Sequence, residues 1–252
     1  MNLRRSAAGL LAAITIVLAG CSGSRPTMAT PDRSSATTAA TVAPTTTTDP
    51  GISQVATARP SKVNVYLTPD ATKQPAFELS NPNPNGAPLV FLVKEQQGDW
   101  YHVYLPVRPN GSNGWVQGAD VTVQNNPYRI VVSANQHRLT LEKDGVPERQ
   151  FKVGIGRGEY PTPGGVYYIK ELLAPPDPHG AYGPYAYGLS GFSEVKELAN
   201  FEGGDGVIGI HGTNDPSSVG ANVSHGCIRM YNDDITALAK ILPLGTPVTI
   251  EA

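Results

Sequence analysis

The sequence predicts a mainly β protein of two small folded units, the second carrying one or two short helices. Three observations carry that expectation. Glycine (27) and proline (23) are abundant in a chain of 252 residues and cut it into short pieces. Apolar and polar residues alternate in several short runs, while helical periodicity is rare. Turn dipeptides separate the runs: Gly98-Asp99, Asn113-Gly114 and Asp144-Gly145.

Residues 1–20 read as an export signal. Arg4 and Arg5 give a positive start, and Ala7 to Ala19 form an apolar run interrupted by Thr15. The run is too short to span a bilayer comfortably. It ends in Leu18-Ala19-Gly20-Cys21, which resembles a bacterial lipobox. The resemblance implies cleavage before Cys21 and acylation of its thiol and new N-terminus. The alternative is an ordinary cleaved signal with an incidental cysteine. Several acyl chains on one residue anchor a protein stably where one does not. Residues 21–51 are Thr-, Ala- and Pro-rich and bury too little surface to repay their ordering entropy. They read as a disordered tether with a mean span of roughly 30 Å. The expectation is an exported, membrane-anchored lipoprotein facing the cell wall or periplasm. A net charge of -2 offers no basic patch, and nothing supports nucleic-acid binding.

The first folded unit is expected over residues 52–125. Val63-Asn64-Val65-Tyr66 alternates and stops at Thr68-Pro69-Asp70. Leu89 to Val93 reads as a buried strand. Trp100 to Leu105 alternates after Gly98-Asp99, and Trp115-Val116 follows Asn113-Gly114. Short strands with turns between them suggest a small barrel. Val63-Asn64-Val65, Gly98-Asp99-Trp100-Tyr101-His102-Val103 and Gly114-Trp115-Val116 resemble the bacterial SH3-like family. Members of that family bind cell-wall peptides or support an adjacent enzyme. Asn81 to Pro88 is a longer Asn/Pro-rich insertion than the family usually carries. Trp100 and Trp115 are expected to pack in the core, and His102 to face solvent.

The second unit is expected over residues 126–252. Ile130-Val131-Val132 opens a strand. Leu139 and Leu141 alternate with polar neighbours, Asp144-Gly145 turns the chain, and Phe151, Val153 and Ile155 alternate on the return. Val166 to Ile169 and Val207 to Ile210 are further strands. Gly154-Ile155-Gly156-Arg157-Gly158 reads as a glycine-rich β turn. It is no phosphate loop, because Glu159-Tyr160-Pro161-Thr162-Pro163 cannot open the helix such a loop needs. A helix begins at Asn232, its expected cap, with Asp233 and Asp234 at the positive end of the dipole. Ile235, Leu238, Ala239 and Leu242 fall on one face. Pro243 and Gly245 end it, and Thr246 to Ile250 closes as a strand. A second short helix is expected over Ser193 to Asn200.

Chemistry concentrates in His211-Gly212-Thr213-Asn214 and Val223-Ser224-His225-Gly226-Cys227-Ile228-Arg229-Met230. The chain has 2 cysteines, and with Cys21 lipidated Cys227 has no disulfide partner. An unperturbed thiol, with a pKa of about 8.5, is only a few per cent ionised at neutral pH, so a nearby imidazole must take its proton. His225 can share a face of an extended segment with Cys227, and His211 arrives from a separate strand. Both are candidates.

The paired motif, with Cys227 sixteen positions after His211, resembles the L,D-transpeptidase, or YkuD-like, catalytic domain. Tyr160-Pro161-Thr162-Pro163-Gly164-Gly165 and Gly188-Leu189-Ser190-Gly191-Phe192 extend the likeness over Tyr128 to Ala252. The architecture implied by the two resemblances is a small SH3-like β-barrel followed by a β-rich YkuD-like catalytic domain. The catalytic likeness implies Cys227 as nucleophile, His211 as proton donor and acceptor, the Gly212 carbonyl orienting His211, and His225 in support. Gly226 permits close approach of substrate, and the amides of Gly226 and Cys227 are candidate oxyanion donors. Ser224, expected to bond within its own turn, and Thr213 are candidate substrate contacts. Arg229 either grips a substrate carboxylate or braces the catalytic turn. Ala174 to Phe192, with Tyr182, Tyr185 and Tyr187, is a candidate substrate-binding lid that keeps water from a thioester. His137 and His179 are expected to be solvated.

The same resemblance implies a reaction. Cys227 attacks the carbonyl before the terminal D-residue of a peptidoglycan tetrapeptide stem, and that residue leaves. The thioester then passes to the side-chain amine of a neighbouring stem, giving a 3-3 cross-link. One amide replaces another, so no cofactor is expected. Two alternatives stay open. Water in place of the amine makes an L,D-carboxypeptidase. A non-catalytic wall-binding lipoprotein rests on the SH3-like unit. A zinc site of His211, His225 and Cys227 lacks a carboxylate base and has an unusual His-x-Cys spacing, so no metal is expected.

Overall fold

The computed structural model describes residues 51–195 and 206–252. Cys21, the signal and the tether up to residue 50 lie outside the described residues, as does most of the helix expected over Ser193 to Asn200. The described residues belong to one compact unit, mainly β, in which two sheet regions meet at Pro127.

The N-terminal region contains β1 (Ser53–Ala58), β2 (Lys62–Val65), β3 (Phe77–Ser80), β4 (Val90–Gln97), β5 (Trp100–Tyr104), β6 (Asn113–Gln117) and β7 (Val121–Asn126). Five of these form an antiparallel sheet in the order β6-β5-β4-β1-β7, and β2 pairs with β3. Val63, Val65, Phe91, Val103 and Val116 are fully buried and form the core of this region. The residues alternating with them must face outward. Trp100, His102 and Trp115 therefore lie opposite Val103 and Val116, half-buried outside the core, which corrects the expected core position of both tryptophans. His102 does not face solvent freely either. Its ring stacks on Trp115 with centroids 4.7 Å apart, and its nitrogens meet Glu95 Oε1 at 3.0 Å and Asn113 Oδ1 at 2.7 Å. Asn113-Gly114 is not a turn but the start of β6. Gly114 is needed there for space, since a Cβ would sit 2.5 Å from Val65 Cγ1.

The C-terminal region contains β8 (Tyr128–Ser133), β9 (Arg138–Lys143), β10 (Val146–Lys152), β11 (Ile155–Gly156), β12 (Gly165–Leu173), β13 (Ala186–Phe192), β14 (Val207–His211), β15 (Asn222–Ser224), β16 (Ile228–Arg229), α1 (Asn232–Ala239) and β17 (Pro247–Glu251). Its main sheet has eight strands in the order β10-β9-β8-β17-β12-β13-β14-β16, and β11 pairs with β15. The β9–β10 hairpin turns on Asp144 and Gly145, both at positive φ (50° and 75°), the conformation a two-residue hairpin loop demands. The return strand ends at Lys152, and Ile155 opens the separate strand β11.

Helix α1 buries Ile235 and Leu238 completely against this sheet, each contributing about 1.5–3 kcal/mol. Tyr231, not Asn232, occupies its N-cap. The Asn232 side chain turns instead to the loop after β14, accepting the Thr213 N–H at 2.8 Å. At the other end Tyr187 OH donates to the Leu238 carbonyl at 2.9 Å, satisfying one of the acceptors every helix leaves open.

The two regions share an interface. Val55, Val90 and Leu92 of the first pack on Tyr168 of the second. Asn110 holds both backbone groups of Phe192 at 2.8 Å, and Asn126 Nδ2 donates to Thr246 Oγ1 at 3.0 Å. Among the described residues, no helix is long and apolar enough to cross a membrane.

Candidate active site

Strand register builds the site. Strands β13 and β14 are antiparallel, with Ala186 opposite His211 and Gly188 opposite Gly209. Strands β14 and β16 are parallel, with Ile210 beside Ile228 and His211 beside Arg229, so Cys227 falls beside Gly209. Because side chains alternate, Ile210 and Ile228 point into the core, and His211 and Cys227 share the opposite face. On β12, Glu171 is opposite Gly188 and Leu173 opposite Ala186. Two cross-strand rows result: Leu173, Ala186, His211, Arg229, and Glu171, Gly188, Gly209, Cys227. All of these except Arg229 line a cleft of about 580 Å³ that also exposes His225, with Ala174, Pro175 and Tyr182 on its wall.

His211 is buried, 4% exposed. Its Nδ1–H donates to the Gly212 carbonyl at 2.6 Å, which leaves Nε2 as the basic nitrogen. A Cβ at Gly212 would collide with Asn232 Oδ1, so the glycine lets α1 clamp this loop closely. Burial lowers the His211 pKa to about 4; the Gly212 bond opposes the shift and the Arg229 charge adds to it. Cys227 is a half-buried free thiol. Burial raises its pKa, while a hydrogen bond from the Gly209 backbone and the Arg229 charge pull it back. At neutral pH both partners rest uncharged, unlike the preformed thiolate–imidazolium pair of many reactive cysteines.

Other expected site residues fall in different places. Gly226 has φ 113°, a conformation that favours glycine, but its N–H donates to Ser224 Oγ at 3.1 Å. It is thus not an available oxyanion donor. Ser224, 1% exposed, donates to the Cys227 carbonyl at 2.6 Å. It locks the turn and does not meet substrate. Thr213 is buried, and its Oγ1 accepts the Asp215 N–H at 3.1 Å, away from the cleft. Tyr187 lies on the core face, fully buried, and Tyr185 packs against the core beneath. Tyr182 is the one of the three tyrosines whose ring reaches the site, with its centroid 4.8 Å from that of His211. The candidate lid is shorter than expected, because Ala186–Phe192 is strand β13, in the middle of the sheet.

His225 lines the cleft, but Arg157 donates to its Nε2 at 3.2 Å and Tyr160 packs beside its ring. That nitrogen is engaged, whereas His211 Nε2 is the basic nitrogen of the floor. The Arg229 backbone bridges to Gly154 while its charge acts on both His211 and Cys227. His179 sits in the 174–185 loop, where its N–H donates to Asp177. His137 is not simply solvated; its ring bonds Asn222. Among the described residues, no three His, Cys, Asp or Glu side chains group as a metal site. The sequence reading missed Glu171, Gly188 and Gly209. Two glycines in the middle of apolar strands were the available signal.

A family model described as the L,D-transpeptidase catalytic domain matches residues 127–250. The putative L,D-transpeptidase YqjB of Bacillus subtilis is 31% identical over 156 residues, which cover 58% of this chain and 78% of that protein. The chain belongs to the L,D-transpeptidase family. The putative L,D-transpeptidase YkuD of Bacillus subtilis is 39% identical over 124 residues, 49% of this chain and 66% of the relative's own length. A solved L,D-transpeptidase from Mycobacterium tuberculosis aligns with a TM-score of 0.41 at 20% identity, covering 58% of this chain and 75% of that one.

Proposed function

We propose that this chain is an exported peptidoglycan L,D-transpeptidase with Cys227 as its nucleophile. The observation that carries the reading is the floor of the cleft. Cys227 stands beside side-chain-free Gly209, and His211 lies on the same face one position along the adjoining row. Membership of the family supplies the substrate class, the stem peptides of the wall.

The reaction follows from the charge states. Cys227 Sγ attacks the carbonyl before the terminal D-residue as its proton passes to His211 Nε2. The Gly212 carbonyl stabilises the imidazolium that forms. The Cys227 amide is the oxyanion donor, since the Gly226 amide is committed to Ser224. The C–N bond breaks as His211 returns its proton to the leaving amine. An amine from a second stem then attacks the thioester, His211 takes its proton, and Sγ leaves and is reprotonated. Tyr182 and the proline-rich wall exclude water from that second step. His225 supports the site from its far edge.

The N-terminal region is read as an SH3-like module that braces the catalytic sheet. Lipidation at Cys21, a tether and attachment to the membrane complete the proposal from the sequence.

Purified mature protein incubated with disaccharide-tetrapeptide, with products identified by mass, tests the reading. A cross-linked dimer is expected. Tripeptide alone indicates an L,D-carboxypeptidase, and neither product leaves a wall-binding protein. Cys227→Ala must abolish either reaction; surviving turnover contradicts the assignment.

A further inference from the structure

We infer that Glu171 forms a cation-reading subsite of this cleft, positioned by the N-terminal region, that recognises a side-chain ammonium on the substrate peptide. The inference rests on the proposed reaction for the identity of that peptide. Glu171 lies on β12 in the core-forming sheet, and its side chain is 3% exposed. A register shift between Ile169 and Glu171 turns it from the core face to the cleft face. Its Oε2 accepts the amides of Asn83 at 2.8 Å and Asn85 at 2.9 Å, both from the loop between β3 and β4. Its Oε1 has Lys170 Nζ at 3.5 Å, beyond good hydrogen-bonding distance. A buried carboxylate costs several kcal/mol in desolvation unless it is well partnered. Two neutral amides fix its orientation, and the Lys170 ammonium at 3.5 Å balances its charge only in part.

The floor between this carboxylate and the thiol is bare. The row runs Glu171, Gly188, Gly209, Cys227, and neither glycine has a positive φ. Both are needed for space: a Cβ on Gly188 would sit 2.5 Å from Glu171 Oε1, and one on Gly209 would sit 2.8 Å from the Tyr187 carbonyl. Strands spaced by about 4.8 Å put the Glu171 backbone roughly 14 Å from that of Cys227, but Oε1 reaches over Gly188 and the thiol meets the Gly209 backbone, so the gap to span is about one strand spacing. A residue whose carbonyl lies at Cys227 can lay a four-carbon side chain along this floor and place its ammonium at Glu171. The subsite therefore reads the residue that donates the acyl group. An amine held there stays protonated and is not the one that attacks the thioester.

Binding to the full mature chain carrying Cys227→Ala tests this without turnover. The probes are a tetrapeptide whose third residue bears a free side-chain amine and the same peptide acetylated on that amine. The free amine should bind at least about tenfold more tightly, the scale of a charged hydrogen bond in a dry site. Glu171→Gln should erase the difference, and Asn83→Ala with Asn85→Ala should shrink it. Equal binding of the two peptides, no binding of the free-amine peptide, or a preference that survives Glu171→Gln overturns the inference. Should Glu171→Gln not fold, the two peptides on the Cys227→Ala chain and the asparagine pair still decide. Cross-linking by the unaltered chain with no amine preference would leave the proposed reaction standing and remove only the subsite.

Discussion

The two ends of the cleft use opposite electrostatics. At the Cys227 end, burial pushes the His211 imidazolium and the Cys227 thiolate away, so both groups rest neutral. At the Glu171 end a buried carboxylate is braced by two asparagine amides. The first end therefore holds no standing charge before a ligand arrives. A group that only recognises works best as a fixed charge, oriented before the ligand arrives. The first end is built within the C-terminal sheet; the second needs a loop from the other region.

Substitutions can break this division. His211→Ala should lower kcat/KM by about 10²–10⁴ with little change in KM, measured on disaccharide-tetrapeptide. Loss confined to KM would mean that His211 only positions substrate. Acid should destabilise the fold through the same residue. The folded His211 pKa of about 4 lies below the ordinary histidine value of about 6.5. Its contribution is complete above pH 6.5, is lost as pH falls towards 4, and amounts to about 3 kcal/mol. Urea melts across that range should show the slope, and His211→Gln should flatten it.

The glycines sharpen the contrast. Gly188→Ala crowds Glu171 and should raise KM several-fold while kcat holds, whereas Gly209→Ala presses on the Tyr187 carbonyl, shifts the strand that Cys227 lies beside, and should lower kcat. Each introduces overpacking worth about 1–3 kcal/mol. If both variants change the same constant, the ends are not functionally distinct. Alkylation of Cys227 by iodoacetamide should keep rising above pH 8.5, because burial raises the thiol pKa; a plateau below pH 7 would mean a preformed ion pair. The smallest effect is expected from Asn232→Ala, about 1 kcal/mol in thermal melts, for the bond lost to Thr213.

Legibility in the sequence follows the same split. His211 lies at the end of a strand whose apolar run is plain to read, and Cys227 stands in a short local motif before the two-residue strand Ile228–Arg229. The direction of Glu171 depends on a bulge in β12, and its partners are 88 and 86 residues away. The Asn81 to Pro88 insertion was visible, but nothing within it names its target. The Gly226 amide looked available because a sequence does not show that the Ser224 hydroxyl folds back onto it. Trp100 and Trp115 were misplaced by residue type, although alternation with Val103 and Val116 already set them on the outer face.

Intact-mass analysis of the wild-type chain, acid-quenched during reaction with disaccharide-tetrapeptide and mapped by proteolysis, tests the covalent step itself. The account requires an adduct on Cys227 equal in mass to the intact substrate less the free terminal amino acid it releases. Cross-linked product formed with no such adduct, or with the label on another residue, would contradict it.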